Sequence, residues 1–253
     1  MMVLVLGIVL LAAGLAIAQD DELGVTLDAT YVSKYLWRGI DLMDDKAAFQ
    51  PSVTLDLYGT GFSAQLWAAL PGSSGTNTTS TVNATEFDYS LMYDFTMMEG
   101  QCSQTDVKLN YIYYDFIDQP TKAADAQELG AGFAWPNLLG NGFTPSYYVG
   151  RIWQARSNTQ LAANYGGWVH VFGLNYDMNI ESQVVTLMSS LVYNDGYAGA
   201  DNDWSHAVLG AKSSFDIAED LSLTPAVYYQ ISMEDTVNTE DELYSSVSLT
   251  YSF

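Results

Sequence analysis

Along most of this chain, apolar and small polar residues change places at every second position. From Gly24 to Tyr35, Val25, Leu27, Ala29 and Tyr31 fall on one side of an extended backbone, with Thr26, Asp28, Thr30 and Lys34 on the other. A period of two marks a strand with unlike faces. It returns near 49–58, where Val53, Leu55 and Leu57 oppose Ser52, Thr54 and Asp56, and at 62–70, where Phe62, Ala64, Leu66 and Ala68 oppose Ser63, Gln65 and Trp67. In the next two segments Phe87, Tyr89, Leu91, Tyr93 and Phe95 alternate with Asp88, Ser90 and Asp94, then Val107, Leu109, Tyr111 and Tyr113 with Lys108 and Asn110. Further strands are predicted near 127–136, 143–153, 167–177, 183–193, 205–215, 221–231 and 242–253, the sixth and seventh weakened by Gly, Pro136 and Pro145. Each strand has about ten residues, the length a tilted strand needs to cross hydrocarbon.

The connections sharpen this reading. Long ones are predicted near 36–47, 71–84, 117–126, 154–166, 194–204 and 232–241, and short ones near 59–61, 96–104, 137–142, 178–182 and 216–220. Bacterial outer-membrane barrels show this alternation of tight turns and larger loops, and an even strand number. The predicted fold is therefore all-β: a transmembrane antiparallel up-and-down β-barrel of about 12 strands. A soluble sandwich would need far more charge on its outward faces. In hydrocarbon every backbone amide needs a partner within the protein, which favours closure.

The last strand carries Val247, Leu249, Tyr251 and Phe253 at alternate positions, a pattern read as the insertion signal by which barrel-assembly machinery takes up the closing strand. At the other end, Met1 to Ala18 is almost wholly apolar and Ala16-Ile-Ala18 precedes Gln19. That is the form of a secretory signal peptide, although no Lys or Arg precedes the apolar core. The expected organisation is a leader at 1–18 and a barrel at 19–253.

Composition supports a lipid-facing wall. Only 15% of residues are charged, against about 25% in soluble domains, while the chain holds 18 Tyr and 6 Trp. The net charge of −22 excludes nucleic acid as a partner, because phosphate attraction needs a basic face. Cys102 is the single cysteine, and with His170 and His206 it makes no zinc-ligand pattern. No cofactor and no metal are expected.

One stretch is similar to a known family. Tyr31-Val-Ser-Lys-Tyr-Leu-Trp-Arg-Gly-Ile40, then Lys46-Ala-Ala-Phe-Gln-Pro51, then Gly61-Phe-Ser-Ala-Gln-Leu-Trp67 resembles the TorF-type porins, also called the Gcw_chp family. Members open with Tyr-Val-Ser-x-Tyr-x-x-Arg-Gly-Ile/Val and continue with an acidic-Lys loop and a Gly-Phe-Tyr-x-x-x-Trp strand. Ser63 stands where an aromatic is usual, and Gly72–Thr85 has no counterpart. The resemblance implies an outer-membrane location and a barrel shape.

By parity the pore-lining candidates are Asp28, Lys34, Asp56, Trp67, Asp88, Asp94, Lys108, Tyr114, His206 and Lys212, with Arg38 at the pore mouth. Rings of charged side chains set ion selectivity, and the surplus of acids predicts a weak cation preference. Arg38 is expected to pair with Asp41, Asp44 or Asp45 and pin the first loop, the alternative partner being an anionic solute, with Gly39 supplying a positive φ. Tyr31, Tyr35, Tyr93, Phe95, Tyr111, Tyr113, Trp153, Trp168, Tyr193, Tyr229, Tyr251 and Phe253 are assigned to outward aromatic girdles. Sugar stacking is open only to inward Trp67 and Tyr114.

The outer-loop acids, among them Asp195, Asp201, Asp203, Glu234, Asp235 and Glu242, offer oxygen ligands for Ca²⁺ or for divalent bridges to lipopolysaccharide, but without EF-hand spacing they read as a solvated face. Asn77-Thr-Thr79 and Asn83-Ala-Thr85 match glycosylation sequons that Ser/Thr-rich loops produce by chance. Twelve-stranded outer-membrane phospholipases use a His-x-Ser pair on the outer wall, but His170 is followed by Phe172 and His206 by Val208. The expected function is porin-like passage of small hydrophilic solutes or ions through an outer membrane. The alternatives are a structural or adhesive barrel without flux, or a hydrolase.

Overall fold

The dyad pattern becomes an unbroken ring of hydrogen-bonded neighbours. The computed structural model describes residues 22–72, 83–118, 124–155, 166–233 and 237–253. The expected leader at 1–18, the sequon at Asn77, and Glu234 and Asp235 lie outside them. The wall strands are β1 (Gly24–Val32), β2 (Ala48–Asp56), β3 (Phe62–Pro71), β4 (Glu86–Met97), β5 (Thr105–Phe116) and β6 (Ala126–Ala134). They continue as β7 (Phe143–Gln154), β8 (Gly167–Ile180), β9 (Gln183–Asp195), β10 (Asp203–Ser213, resuming at Phe215–Ala218), β11 (Leu221–Ser232) and β12 (Glu242–Ser252). Every strand pairs antiparallel with its sequence neighbours, and β1 pairs with β12, so the sheet is a closed twelve-strand barrel. Closure leaves no edge to be solvated by lipid.

Register fixes which residues share a face. Asp28 lies opposite Ser52 and Thr250, Ser52 opposite Trp67, Trp67 opposite Asp88, and Asp88 opposite Tyr114. The adjacent row, Leu27, Val53, Leu66 and Tyr89, points the other way. That face stays open to its surroundings, with Leu129 59% and Leu209 51% exposed. An apolar exposed exterior over a closed sheet is the transmembrane barrel wall. Among the described residues no helix is long and apolar enough to cross a membrane.

Two departures from the sequence reading bear on the site. The first strand was expected to run to Tyr35 but ends at Val32, because the chain then turns into the lumen. The sixth starts at Ala126 and stops at Ala134, ahead of Trp135 and Pro136. Its glycines fit close neighbours, since a Cβ on Gly130 would run into the Tyr148 ring. In β10 a bulge opposite Val192 and Tyr193 places Ser205 and His206 both out of solvent, with Ser205 as the extra residue.

Candidate functional site: the lumen and its inserted loop

The first long loop does not stand in the external water. After Ser33 it forms a small hairpin in which Leu36–Trp37 pairs with Ile40–Asp41, and this hairpin packs inside the barrel. Arg38 and Gly39 form its tip with φ of 50° and 87°. A Cβ on Gly39 would sit 2.7 Å from His206 Nδ1 and 2.8 Å from Val237 Cγ1, so only glycine lets the tip approach the wall.

Hydrophobic residues explain why the hairpin turns inward. Met43 and Leu42 are buried with Val32, Tyr35, Ala48 and Ala69, and Trp67 packs against them. At the same long-loop end, from β5, β7, β8, β9 and the loop after β9, Tyr114, Phe116, Ile152, Val169, Val192 and Tyr197 form a second cluster. Trp37 and Ile40 touch both clusters. The Trp37 ring lies 5.3 Å from Tyr114 and 5.6 Å from Tyr197, both edge-on, the arrangement aromatic quadrupoles favour. A loop of solvated residues would have left these inward side chains facing water.

Polar contacts complete the anchoring. Arg38 Nη2 donates to Glu128 Oε1 at 2.6 Å, and Glu128 is fully buried. Tyr114 Oη donates to Glu128 Oε2 at 2.6 Å, Tyr148 Oη donates to Oε1, and Asn110 Nδ2 donates to Tyr148 Oη at 3.3 Å. The guanidinium also lies 5.1 Å from the Trp37 ring centre and 5.5 Å from that of Tyr148, within cation–π range. Gln230 Nε2 donates to Gly39 O at 3.1 Å, Tyr35 Oη donates to Glu86 Oε2 at 3.1 Å, and Asn83 N donates to Leu42 O at 2.8 Å. Partners on β4, β6 and β11 therefore hold one loop across the bore.

At the long-loop end, Lys34 Nζ donates to Asp45 and, at 2.6 Å, to Glu242 Oε2. These hydrogen bonds, Asp45 first and Glu242 second, hold the Lys34 ammonium above its ordinary lysine pKa. Asp41, Asp45 and Glu242 bring ligand atoms within 4.8 Å of one another. The Lys34 ammonium lies against two of the three, which makes the cluster a latch on the loop base.

The pore-lining candidates separate by position. Asp28, Trp67, Asp88, Asp94, Lys108, Tyr114 and Lys212 sit on the inward register of the wall. Asp28 accepts from Thr30 Oγ1 at 2.5 Å and Thr250 Oγ1 at 2.7 Å, and Asp94 pairs with Lys108 at 3.4 Å. Asp56 lies at the short-turn rim, where its Oδ1 accepts from Gly59 N at 2.9 Å. His206 is buried under the hairpin tip, with Ser205 Oγ 2.8 Å from its Nδ1. Lys34 and Arg38 belong to the inserted loop and not to the wall.

Two expectations are corrected. Arg38 pairs with Glu128, 90 residues away in the chain, and not with Asp41, Asp44 or Asp45. Asp41 instead accepts from Met43 N at 2.9 Å and Asp45 N at 2.6 Å, shaping the loop locally, while Asp44 pairs with Lys46. Tyr35 is not a girdle residue, since it is buried inside and bonded to Glu86. The girdle assignment describes Tyr31, Trp168 and Tyr251, which are exposed on the outward face, and Arg151 lies 5.7 Å over the Trp168 ring.

Glu86, Glu128, Tyr148 and Gln230 were missed, and Glu242, read with the solvated outer-loop acids, is instead buried against Lys34. Glu86, Glu128, Gln230 and Glu242 are buried polar groups. The signal that would have found Glu128 is its parity with Ala126, Gly130 and Gly132 in β6. Between the hairpin and the wall lies a cavity of about 530 Å³ lined by Trp67, Asp88, Tyr114, Tyr228 and Tyr244. Arg38 Nη1 and Asp88 Oδ1, both buried on residues that line it, have no hydrogen-bond partner.

A closed barrel with an apolar exterior, a polar bore and a loop folded into it defines a bacterial outer-membrane β-barrel. The chain belongs to the Gcw_chp family, described as a bacterial protein of unknown function, whose family model matches residues 18–248. No curated protein matches the sequence. The chain is similar in fold to the KdgM porin, with a TM-score of 0.57, 8% identity, and coverage of 90% of this chain and 99% of that one. KdgM has also been solved in complex with disordered oligogalacturonate. The NanC porin gives a TM-score of 0.54 at 9% identity, covering 90% and 98% of the two chains. The outer membrane phospholipase A from Escherichia coli gives 0.50 at 13% identity, covering 90% and 89%.

Proposed function

We propose that this protein is a narrow outer-membrane channel through which small hydrophilic solutes or ions diffuse passively, with a weak preference for cations. The observation that carries the reading is the loop hairpin held across a polar bore: it narrows the passage and lines it with fixed charge. Selection then rests on width and on the sign of the luminal groups. The solved KdgM complex holds oligogalacturonate, a polyanion. In this chain Asp28, Glu86, Asp88, Asp94, Asp106 and Glu128 share the inward register with few bases, which disfavours a polyanion and favours neutral or cationic solutes. Transport needs no energy input and no cofactor.

Catalysis is the weaker reading, despite the likeness in fold to a phospholipase. His170 faces outward, but its Nδ1 lies 2.7 Å from Tyr147 Oη and its ring stacks on Tyr147. The Ser205–His206 pair is buried inside the wall, away from lipid. The terminal strand, with Val247, Leu249, Tyr251 and Phe253 outward, is offered as the element taken up by the barrel-assembly machinery, and the solvated acidic loops as the face toward lipopolysaccharide.

The test is reconstitution in a planar bilayer under a KCl gradient. Stepwise conductance with a cation-signed reversal potential supports the proposal, and an anion-signed potential removes the selectivity. Silence favours a barrel without flux, and lipid hydrolysis favours an enzyme.

A further inference from the structure

We infer that the cavity between the loop hairpin and the wall is a binding subsite for a neutral sugar of monosaccharide size. This deepens the channel reading and rests on it, by naming the solute class that pauses at the constriction.

Three features converge there. The cavity volume of about 530 Å³ lies inside the range of about 300–1,000 Å³ typical of small-ligand pockets. Arg38 Nη1 and Asp88 Oδ1 are buried without a partner on residues lining this one cavity. One is a donor and the other an acceptor, and buried groups of this kind are normally satisfied. A hydroxyl serves either, since it both donates and accepts. The walls between them are flat and polar-tipped: Trp67 tilts against Tyr35 at 5.7 Å, and Tyr228 stacks on Tyr244 at 4.9 Å. Gln50 completes the lining with an uncharged amide.

Charge narrows the class. Arg38 already has its counter-ion in Glu128 at 2.6 Å, and Lys34, the other cation in the lining, is held by Asp45 and Glu242. An anionic sugar would find both cations already paired and would face the Asp88 carboxyl, while a simple cation has no acceptor to offer Arg38. A neutral polyol matches the uncharged hydroxyl and amide groups of Gln50, Gln65, Ser246 and Ser248 in the lining and places its C–H faces on the rings.

The experiment is a titration of the detergent-purified full chain, following Trp fluorescence, with glucose, glucuronate and glycylglycine as separate probes. Glucose is expected to give a saturable change in the millimolar range, with glucuronate and glycylglycine at least fivefold weaker. Asp88→Ala, confirmed as folded by heat-modifiable gel migration, is expected to raise the half-saturating glucose concentration at least fivefold. A linear response to glucose overturns the proposal, as does equal or stronger saturation by either other probe. Should Asp88→Ala fail to fold, the comparison of the three probes on the unaltered protein still decides. Saturable glucose binding by a protein silent in bilayers keeps the subsite and removes the channel; conductance without saturation does the reverse.

Discussion

Arg38, at the tip of a loop, reaches 2.6 Å from Glu128 in the middle of the chain and meets it inside the barrel. Glu128 is fully buried and accepts from Tyr114 and Tyr148 as well. Removing one member of a buried pair strands the other charge, at a cost of about 3–5 kcal/mol. Glu128→Ala should therefore lower stability by that order and release the hairpin. Single-channel conductance should rise severalfold, and denaturant unfolding in lipid should report the lost stability. The double variant Arg38→Met with Glu128→Leu should recover much of the stability and keep the wider bore.

Gly39 tests the same insertion through shape alone. Its positive φ and the 2.7 Å approach of His206 Nδ1 to a would-be Cβ leave no room for a side chain. Gly39→Val should push the tip off the wall, raising conductance at least twofold with little change in the wall strands. Unchanged conductance together with an intact barrel would show that the tip does not limit passage.

The Lys34 latch gives a pH dependence with a definite sign. Its hydrogen bonds to Asp45 and Glu242 raise the ammonium above the ordinary lysine pKa of 10.5. A raised pKa means that the stabilisation is fully present below the unfolded value and is lost as pH climbs through the folded one. Current noise from loop motion should therefore stay flat from pH 7 to about 10 and grow at higher pH. Lys34→Met should show the noisy behaviour already at pH 7.

The exterior can be tested by depth. Leu209 lies midway along β10 and is 51% exposed, whereas Leu139 lies in the short turn after β6 and is 57% exposed. Arg at a bilayer midplane costs about 2–4 kcal/mol and near the interface about 0–1. Leu209→Arg should thus destabilise the barrel in lipid by the larger amount and Leu139→Arg by the smaller. Equal effects would be incompatible with a lipid-facing wall.

The wall was legible in the sequence because its physics is local. Alternation at Val25–Tyr31 or Phe87–Phe95 needs only a two-residue period and an apolar solvent on one side. The inserted hairpin was not, because Leu36, Trp37 and Ile40 have no period and their partners lie on strands distant in the chain. Asp41, Asp44 and Asp45 are the nearest acids to Arg38 by number, yet they shape the loop or pair with lysines, and the ring geometry brings Glu128 closer. Tyr35 was assigned outward by parity counted past Val32, where the strand had already ended. Asp28, Asp88, Asp94 and Lys108 were placed by parity alone, which the pleat makes reliable wherever a strand continues.

The seam between β1 and β12 sets Thr26 against Ser252 and Val32 against Ser246. Nearly the whole chain separates those partners, and long-range pairing of this kind is slow because the connecting chain must be ordered first. Until that zip shuts, both borders of the growing sheet present bare amides, an open invitation to stick to neighbours. The cylinder therefore has a vulnerable youth: any escort that shields those two borders until they find each other governs how much of the protein reaches the membrane intact.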